Sequence, residues 1–160
     1  MKNDRFLNGM LIGIGLIILI ALTLFFIRQQ QADYRTGEKP QDIVYNYALA
    51  VMKRDYERAY SYLTNSPEKP GLTLFQQEMT RSAAESARVS LTIGEVITDT
   101  NTASVTLSMS QSYGGPFTNS SRYTDSAQLR LENGSWKIVS MPYPLWSWNW
   151  YDENIKTPLP

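Results

Sequence analysis

In the stretch Val89-Ser90-Leu91-Thr92-Ile93-Gly94-Glu95-Val96-Ile97-Thr98-Asp99-Thr100-Asn101-Thr102-Ala103-Ser104-Val105-Thr106-Leu107-Ser108-Met109, apolar and polar residues alternate with one break in step. Ala103, Val105, Leu107 and Met109 alternate with serine and threonine, the pattern of a strand with one apolar and one wet face. Val89, Leu91 and Ile93 alternate in the same way, but the next apolar residue, Val96, is one step out of phase. One extra residue at Gly94-Glu95 repairs this, so a β-bulge is predicted there. A two-residue turn at Thr100-Asn101 then pairs Val96 with Val105, Ile93 with Leu107 and Leu91 with Met109. Every apolar side chain returns to one face, and the bulge bends the sheet toward that face.

Working outward, the chain beyond Met109 continues this meander. Asn133-Gly134 is the preferred two-residue type I′ turn, because both positions need positive φ. It pairs Leu131 with Trp136 and Leu129 with Ile138. Between Met109 and Tyr123 lies a long tip, Gln111 to Arg122, containing Gly114-Gly115-Pro116; tips of this length are frequent interaction surfaces. Upstream, Pro40 suits the first turn of a helix. Ile43, Val44, Tyr47, Ala48, Val51 and Met52 recur at helical spacing to about Lys53. Asp55 reads as the N-cap of a short helix with Tyr56, Ala59, Tyr60 and Leu63 inward. A third helix opens at Thr73, with Gln76 completing a capping box, and turns Phe75, Met79, Ala83 and Ala87 inward. The predicted class is α+β: about three helices packed on a curved antiparallel sheet of about four strands, over residues 40–140.

Composition narrows the chemistry. The 160 residues contain 15 basic and 15 acidic side chains, no histidine and no cysteine. There is then no imidazole base, no Ser-His or Cys-His pair, no disulfide and no thiolate ligand. Zero net charge argues against a nucleic-acid partner, which calls for a basic excess. No carboxylates have the tight spacing of a calcium loop, so no metal and no cofactor are expected. The two Asn-x-Ser sequons, at Asn119 and Asn133, carry no weight outside a glycosylating host.

Phe6 to Ile27 holds 22 residues without a charge. At about 1.5 Å per residue this is about 33 Å, the length of a membrane span. The reading from sequence is therefore a transmembrane anchor over 1–27, in contact with membrane lipid. It implies a single-pass protein of the cell membrane, with a cytoplasmic N-terminus and an extracytoplasmic domain. Gly9, Gly13 and Gly15 form a smooth stripe suited to helix packing. Residues 28–39 read as a polar linker. Removing Lys2, Arg5 and Asp4 from the totals leaves 13 basic and 14 acidic residues for the rest of the chain, too balanced to steer an ionic partner.

Ala48-Leu49-Ala50-Val51-Met52-Lys53-Arg54-Asp55-Tyr56-Glu57-Arg58-Ala59-Tyr60-Ser61-Tyr62-Leu63 resembles the helix-turn-helix opening of the nuclear-transport-factor-two-like (cystatin-like cone) superfamily, in its membrane-anchored bacterial form. Leu131-Glu132-Asn133-Gly134-Ser135-Trp136-Lys137-Ile138 is similar to that superfamily's final hairpin. The resemblance covers about residues 40–140 and rests on fold-determining residues. It implies a cone-shaped domain whose relatives include isomerases, dehydratases, polyketide cyclases, transport adaptors and membrane-tethered domains. Their enzymes generally use an Asp or an Asp–His pair inside the cone, and this chain has no histidine to offer. Fold alone does not confer an activity.

Two features remain as candidate sites. Asp125 lies between Tyr123 and Ala127 with inward phase, which makes it the best candidate pocket acid; as a lone carboxylate without an identifiable partner it is accounted for more simply by a solvated place near the strand's start. The tail, 141–160, packs Trp146, Trp148 and Trp150 beside Tyr143 and Tyr151, and its prolines favour an extended path. In an extended segment the three indoles would share one side. They would plug the cone of their own domain, dock on a protein partner or lie in a membrane interface. The function expected from these features is non-catalytic: a membrane-held domain that binds or scaffolds protein partners, as an accessory subunit of a larger complex without cofactors of its own. The alternative is a small-molecule-binding domain or His-free lyase or isomerase using the cone interior.

Overall fold

The computed structural model describes residues 4–28, 32–67, 69–112, 120–147 and 150. The chain forms two compact units, residues 1–33 and 34–160. The elements are α1 (Asp4–Arg28), α2 (Pro40–Lys53), α3 (Tyr56–Ser61), α4 (Leu72–Arg81), α5 (Ala83–Ser86), β1 (Val89–Thr98), β2 (Thr102–Ser112), β3 (Ser120–Glu132) and β4 (Ser135–Ser140).

The first unit contains α1, and here the membrane expectation is corrected. Among the described residues no helix is long and apolar enough to cross a membrane. The side chains described in α1, residues 9–21, are exposed. The single-pass span over 1–27, the placement in the cell membrane and the cytoplasmic N-terminus that went with it are therefore withdrawn. Gly9, Gly13 and Gly15 are exposed, and a Cβ added at any of them would meet nothing within 4 Å.

In the second unit the four strands pair antiparallel in sequence order. The bulge is where the phase break places it: Val96 faces Val105, Ile93 faces Leu107 and Leu91 faces Met109, with the register shift between Ile93 and Val96. Gly94 is required there by space, since a Cβ would come within 3.3 Å of the Thr106 carbonyl oxygen. At the other end Asn133 and Gly134 adopt φ of 51° and 80°, the type I′ turn, and Leu131 faces Trp136 while Leu129 faces Ile138. A second irregularity, between Gln128 and Leu129, sets Ser140 opposite Gln128. It leaves Val139 as the extra residue on β4, and buried Met141 lies one step out of phase with buried Ile138, as Val96 does with Ile93. β2 and β3 pair from Thr102–Arg130 to Ser112–Ser120, beyond the expected ends at Met109 and Tyr123. The rest of the expected tip, 113–119, lies outside the described residues.

The helices cover the sheet's apolar face. α2 buries Val44, Tyr47, Ala48 and Val51, the stripe its spacing predicts. It ends at Arg54, whose left-handed φ of 61° turns its N–H back onto the Ala50 and Val51 carbonyls. Asp55 caps α3 by accepting a hydrogen bond from the Arg58 N–H. The capping box expected at Thr73 and Gln76 is not formed: α4 starts one residue earlier, at Leu72, with Gly71 as its N-cap and no side-chain cap. The helix also breaks at Ser82, so Phe75 and Met79 are buried while Ala87 is exposed. Tyr34 and Arg35 belong to this unit as well, because the Asn46 amide accepts from the Arg35 N–H at 2.7 Å and donates to the Arg35 carbonyl at 2.8 Å.

The outer edge of β4 is partly covered. Leu63, expected on the inward face of α3, instead bridges to Ile138 in parallel. The Ile138 N–H donates to the Tyr62 carbonyl, and the Thr64 N–H donates to the Ile138 carbonyl, both at 2.8 Å. Such cover removes unpaired edge groups that would template aggregation. Glu132 fastens the same segment by accepting from the Thr64 hydroxyl and, at 3.1 Å, from the Asn65 N–H. The Thr64 hydroxyl is the main cause holding the Glu132 carboxyl below the ordinary value of 4.5.

Two outcomes follow from these contacts. Gly134→Ala should lower the stability of the cone by about 1–2 kcal/mol, because a Cβ is disfavoured at that left-handed φ, seen as a lower urea midpoint at constant slope. Folded Glu132 holds its proton more weakly than the unfolded chain does. Its stabilisation is therefore full above the ordinary carboxyl value and fades as pH falls through the depressed one. Thr64→Val should move the Glu132 titration, followed by carboxyl NMR, upward and shrink that acid-side loss.

Candidate functional site

The concave side of the sheet is where a cone of this kind would hold a ligand, and this chain fills it with aromatic side chains. Phe75 on α4 is fully buried and lies in the middle of the group. The Tyr47 ring meets it edge-on at 6.5 Å, Tyr60 at 5.5 Å, and Trp150 lies tilted against it at 5.3 Å. Trp146 packs edge-to-face on Trp150, with ring centroids 4.5 Å apart. Pairs of this geometry attract beyond their buried area, by roughly 0.5–1.5 kcal/mol each.

The tail therefore folds back on its own domain. Met141, Leu145, Trp146 and Trp150 join the core cluster formed by the helices and the sheet. Residues 143–146 form a turn and bend, so this part of the tail does not follow the expected extended path. Trp146 and Trp150 are buried as members of this core, whereas Tyr143 is 49% exposed. Trp148 and Tyr151 lie outside the described residues.

Hydrogen bonds from the cone's own side chains catch the returning backbone. The Tyr47 hydroxyl donates to the Leu145 carbonyl at 2.8 Å, and the Tyr123 hydroxyl donates to the Tyr143 carbonyl at 2.8 Å. The Ser147 hydroxyl donates to the Glu78 carboxylate at 3.1 Å, and the Tyr143 hydroxyl donates to Glu85. Burial pushes the Tyr47 phenol well above its ordinary value, so it remains a neutral donor at any ordinary pH. Two buried donors go unmet: among the described residues neither the Trp146 nor the Trp150 indole N–H has an acceptor.

Asp125 is exposed. It faces Leu107 across the ladder and shares the strand phase of buried Ala127 and Leu129. Its carboxylate accepts from the adjacent Ser126 N–H at 2.7 Å. The carboxylate the interior does engage is Glu78, only 7% exposed and paired with Arg81 at 2.8 Å. Its signal in the sequence is positional: Phe75, Glu78 and Met79 have the spacing of one helical face, so an acid sits in the apolar stripe of α4.

Two clefts flank the tail. A cleft of about 300 Å³ is lined by Glu78, Arg81, Glu85, Tyr143 and Trp146. Trp146 also borders a smaller space of about 80 Å³ against Leu63, Lys69 and Ile138. Lys69 stands over the Tyr60 ring at 4.1 Å, and burial, helped by the charge of Lys137, lowers its pKa. Among the described residues no group of three or more carboxylates, histidines or cysteines is placed to hold a metal ion.

If the Tyr47–Leu145 bond seats the tail, Tyr47→Phe should cost about 1–3 kcal/mol. The substitution leaves the buried Leu145 carbonyl without its donor while keeping the ring contacts with Phe75. Urea unfolding followed by tryptophan fluorescence measures this.

No protein-family model matches the sequence, and no curated protein matches it. Solved structures do. A SEC-C motif containing protein from Rhodopseudomonas palustris is 17% identical, with a TM-score of 0.53 over 66% of this chain and 79% of its own. A protein from Thiobacillus denitrificans, named for a calcium/calmodulin-dependent protein kinase type II association domain, is 11% identical, with a TM-score of 0.50 over 66% of this chain and 93% of its own. An NTF2-like protein with a cystatin-like fold from Novosphingobium aromaticivorans is 12% identical, with a TM-score of 0.45 over 75% of this chain and 83% of its own. At these identities the first two likenesses speak for the fold alone. Helices laid across a bulged four-stranded antiparallel sheet give this chain the NTF2-like, cystatin-like cone fold.

Proposed function

We propose that this protein is a non-catalytic partner-binding module, an accessory subunit whose cone is a rigid platform for another protein and not a reaction chamber. The observation that carries the reading is the filled interior: Phe75, Trp150 and the Tyr47 ring occupy the concave side of the sheet, where a substrate would lie. A lyase or small-molecule site needs an open apolar pocket with a group able to take a proton. Here the candidate acid, Asp125, is exposed and the interior acid, Glu78, is engaged by Arg81 and Ser147. The relative named for an association domain adds support at the level of fold. Tyr143, half exposed beside the 300 Å³ cleft, has the amphipathic character typical of an interface anchor.

Native mass spectrometry and sedimentation of the full chain, purified gently from its own host, test the proposal. A complex of defined stoichiometry with another protein is expected, and Tyr143→Ala should weaken it at least about tenfold without unfolding the cone. Recovery of the monomer alone under those conditions would sink the reading.

A further inference from the structure

The geometry points to a binding site for the phosphate group of a small soluble ligand, on the face of the sheet that the helices do not cover. Register sets its place. Ser90, Ser110 and Arg122 stand opposite one another on β1, β2 and β3, and Thr92, Ser108 and Thr124 form the next row. All six occupy the strand phase opposite to that of buried Val89, Leu107, Met109 and Ala127, so their side chains leave the sheet on its outer face. Five of them, Ser90, Thr92, Ser108, Ser110 and Arg122, line one cleft of about 310 Å³.

The chemistry of that lining selects an oxyanion. A phosphate monoester carries a charge of about −1.5 to −2 at pH 7 and three strongly accepting oxygens. The cleft presents four hydroxyl donors and one guanidinium, and no carboxylate lines it. A guanidinium is a planar fork that meets two phosphate oxygens at once, and such charge-assisted bonds are the strong ones. Arg35, Arg58 and Arg81 each hold a carboxylate of this chain, whereas Arg122 is exposed and forms no ion pair among the described residues.

The rest of this face is arranged differently. Further along, the Gln128 amide donates to the Ser104 and Ser126 hydroxyls at 3.1 and 3.0 Å, so those groups bond to one another. From Thr102 to Arg130 the outward positions of β2 and β3 hold two arginines and no carboxylate, which favours an anion over a cation. Arg130 faces Thr102 at the far end of the same ladder. At about 3.4 Å per residue it stands about 27 Å from Arg122, well outside the hydroxyl cleft. The cleft has the size of the smaller ligand sites. It lies across the sheet from the aromatic filling and is independent of the partner-binding reading.

Titration of the full chain with inorganic phosphate and with phenyl phosphate, at constant ionic strength and read by amide NMR, tests the site. Saturable shifts are expected at Ser90, Thr92, Ser108, Ser110, Arg122 and their ladder neighbours. Arg122→Gln should weaken binding of both probes at least about tenfold, while Arg130→Gln on the same face leaves it unchanged. Affinity should also fall as pH drops from about 7.5 to about 5, because a phosphate monoester loses its second charge near pH 6. Equal weakening in the two variants would reduce the effect to general attraction by positive charge and overturn the inference. Binding of inorganic phosphate without the monoester would mark an adventitious ion only and overturn it as well. So would the failure of both probes to bind saturably.

Discussion

Everything on the concave side of this molecule depends on the contact between Phe75 and Trp150. Phe75 comes from a helix before the sheet and Trp150 from beyond its last strand, so their packing joins the two ends of the cone domain. A sheet bent by two bulges leaves a hollow between itself and its helices. Protein interiors do not tolerate such voids. The chain fills this one with its own tail, and the Tyr47 hydroxyl fixes where the tail turns by holding the Leu145 carbonyl.

That solution bears directly on function. The proposed partner-binding role rests on it: indole rings occupy the hollow in which an open cone would hold a substrate. The charged groups nearest the hollow are likewise engaged in structure. Glu78 is held by Arg81 and Ser147, and Glu85 by Tyr143.

The sheet was largely legible in the residues. The phase break at Val96 located a bulge to the residue, and Asn133-Gly134 located a turn, because both are local requirements of backbone geometry. The start of α2 at Pro40 and the cap at Asp55 were legible for the same reason. What failed depended on competition between neighbours. Gly71 took the N-cap role that Thr73 offered, because a capping side chain adds only about 1 kcal/mol and packing of Phe75 and Met79 sets the helix's rotation. The bulge at Val139 is marked only by Met141, one step out of phase with Ile138 at the very end of the strand, and a single residue there is too short a run to read as a pattern. A run of uncharged residues was likewise too coarse a signal: Phe6–Ile27 suggested a span, whereas no helix among the described residues is long and apolar enough to cross a membrane.

Of the candidate site, the composition alone determined what chemistry is missing. A chain without histidine or cysteine has no imidazole and no thiol in any conformation. The local alternation likewise determined which face of each strand is apolar, because side chains in a strand must point to opposite sides. Where the tryptophans go was decided only in three dimensions. Their spacing was compatible with a plug, an interface or a lipid surface, and an indole's preference among these is set by the hollow it meets. That hollow is built from residues as much as 75 positions away in the chain, at Phe75, and more than 100 away, at Tyr47.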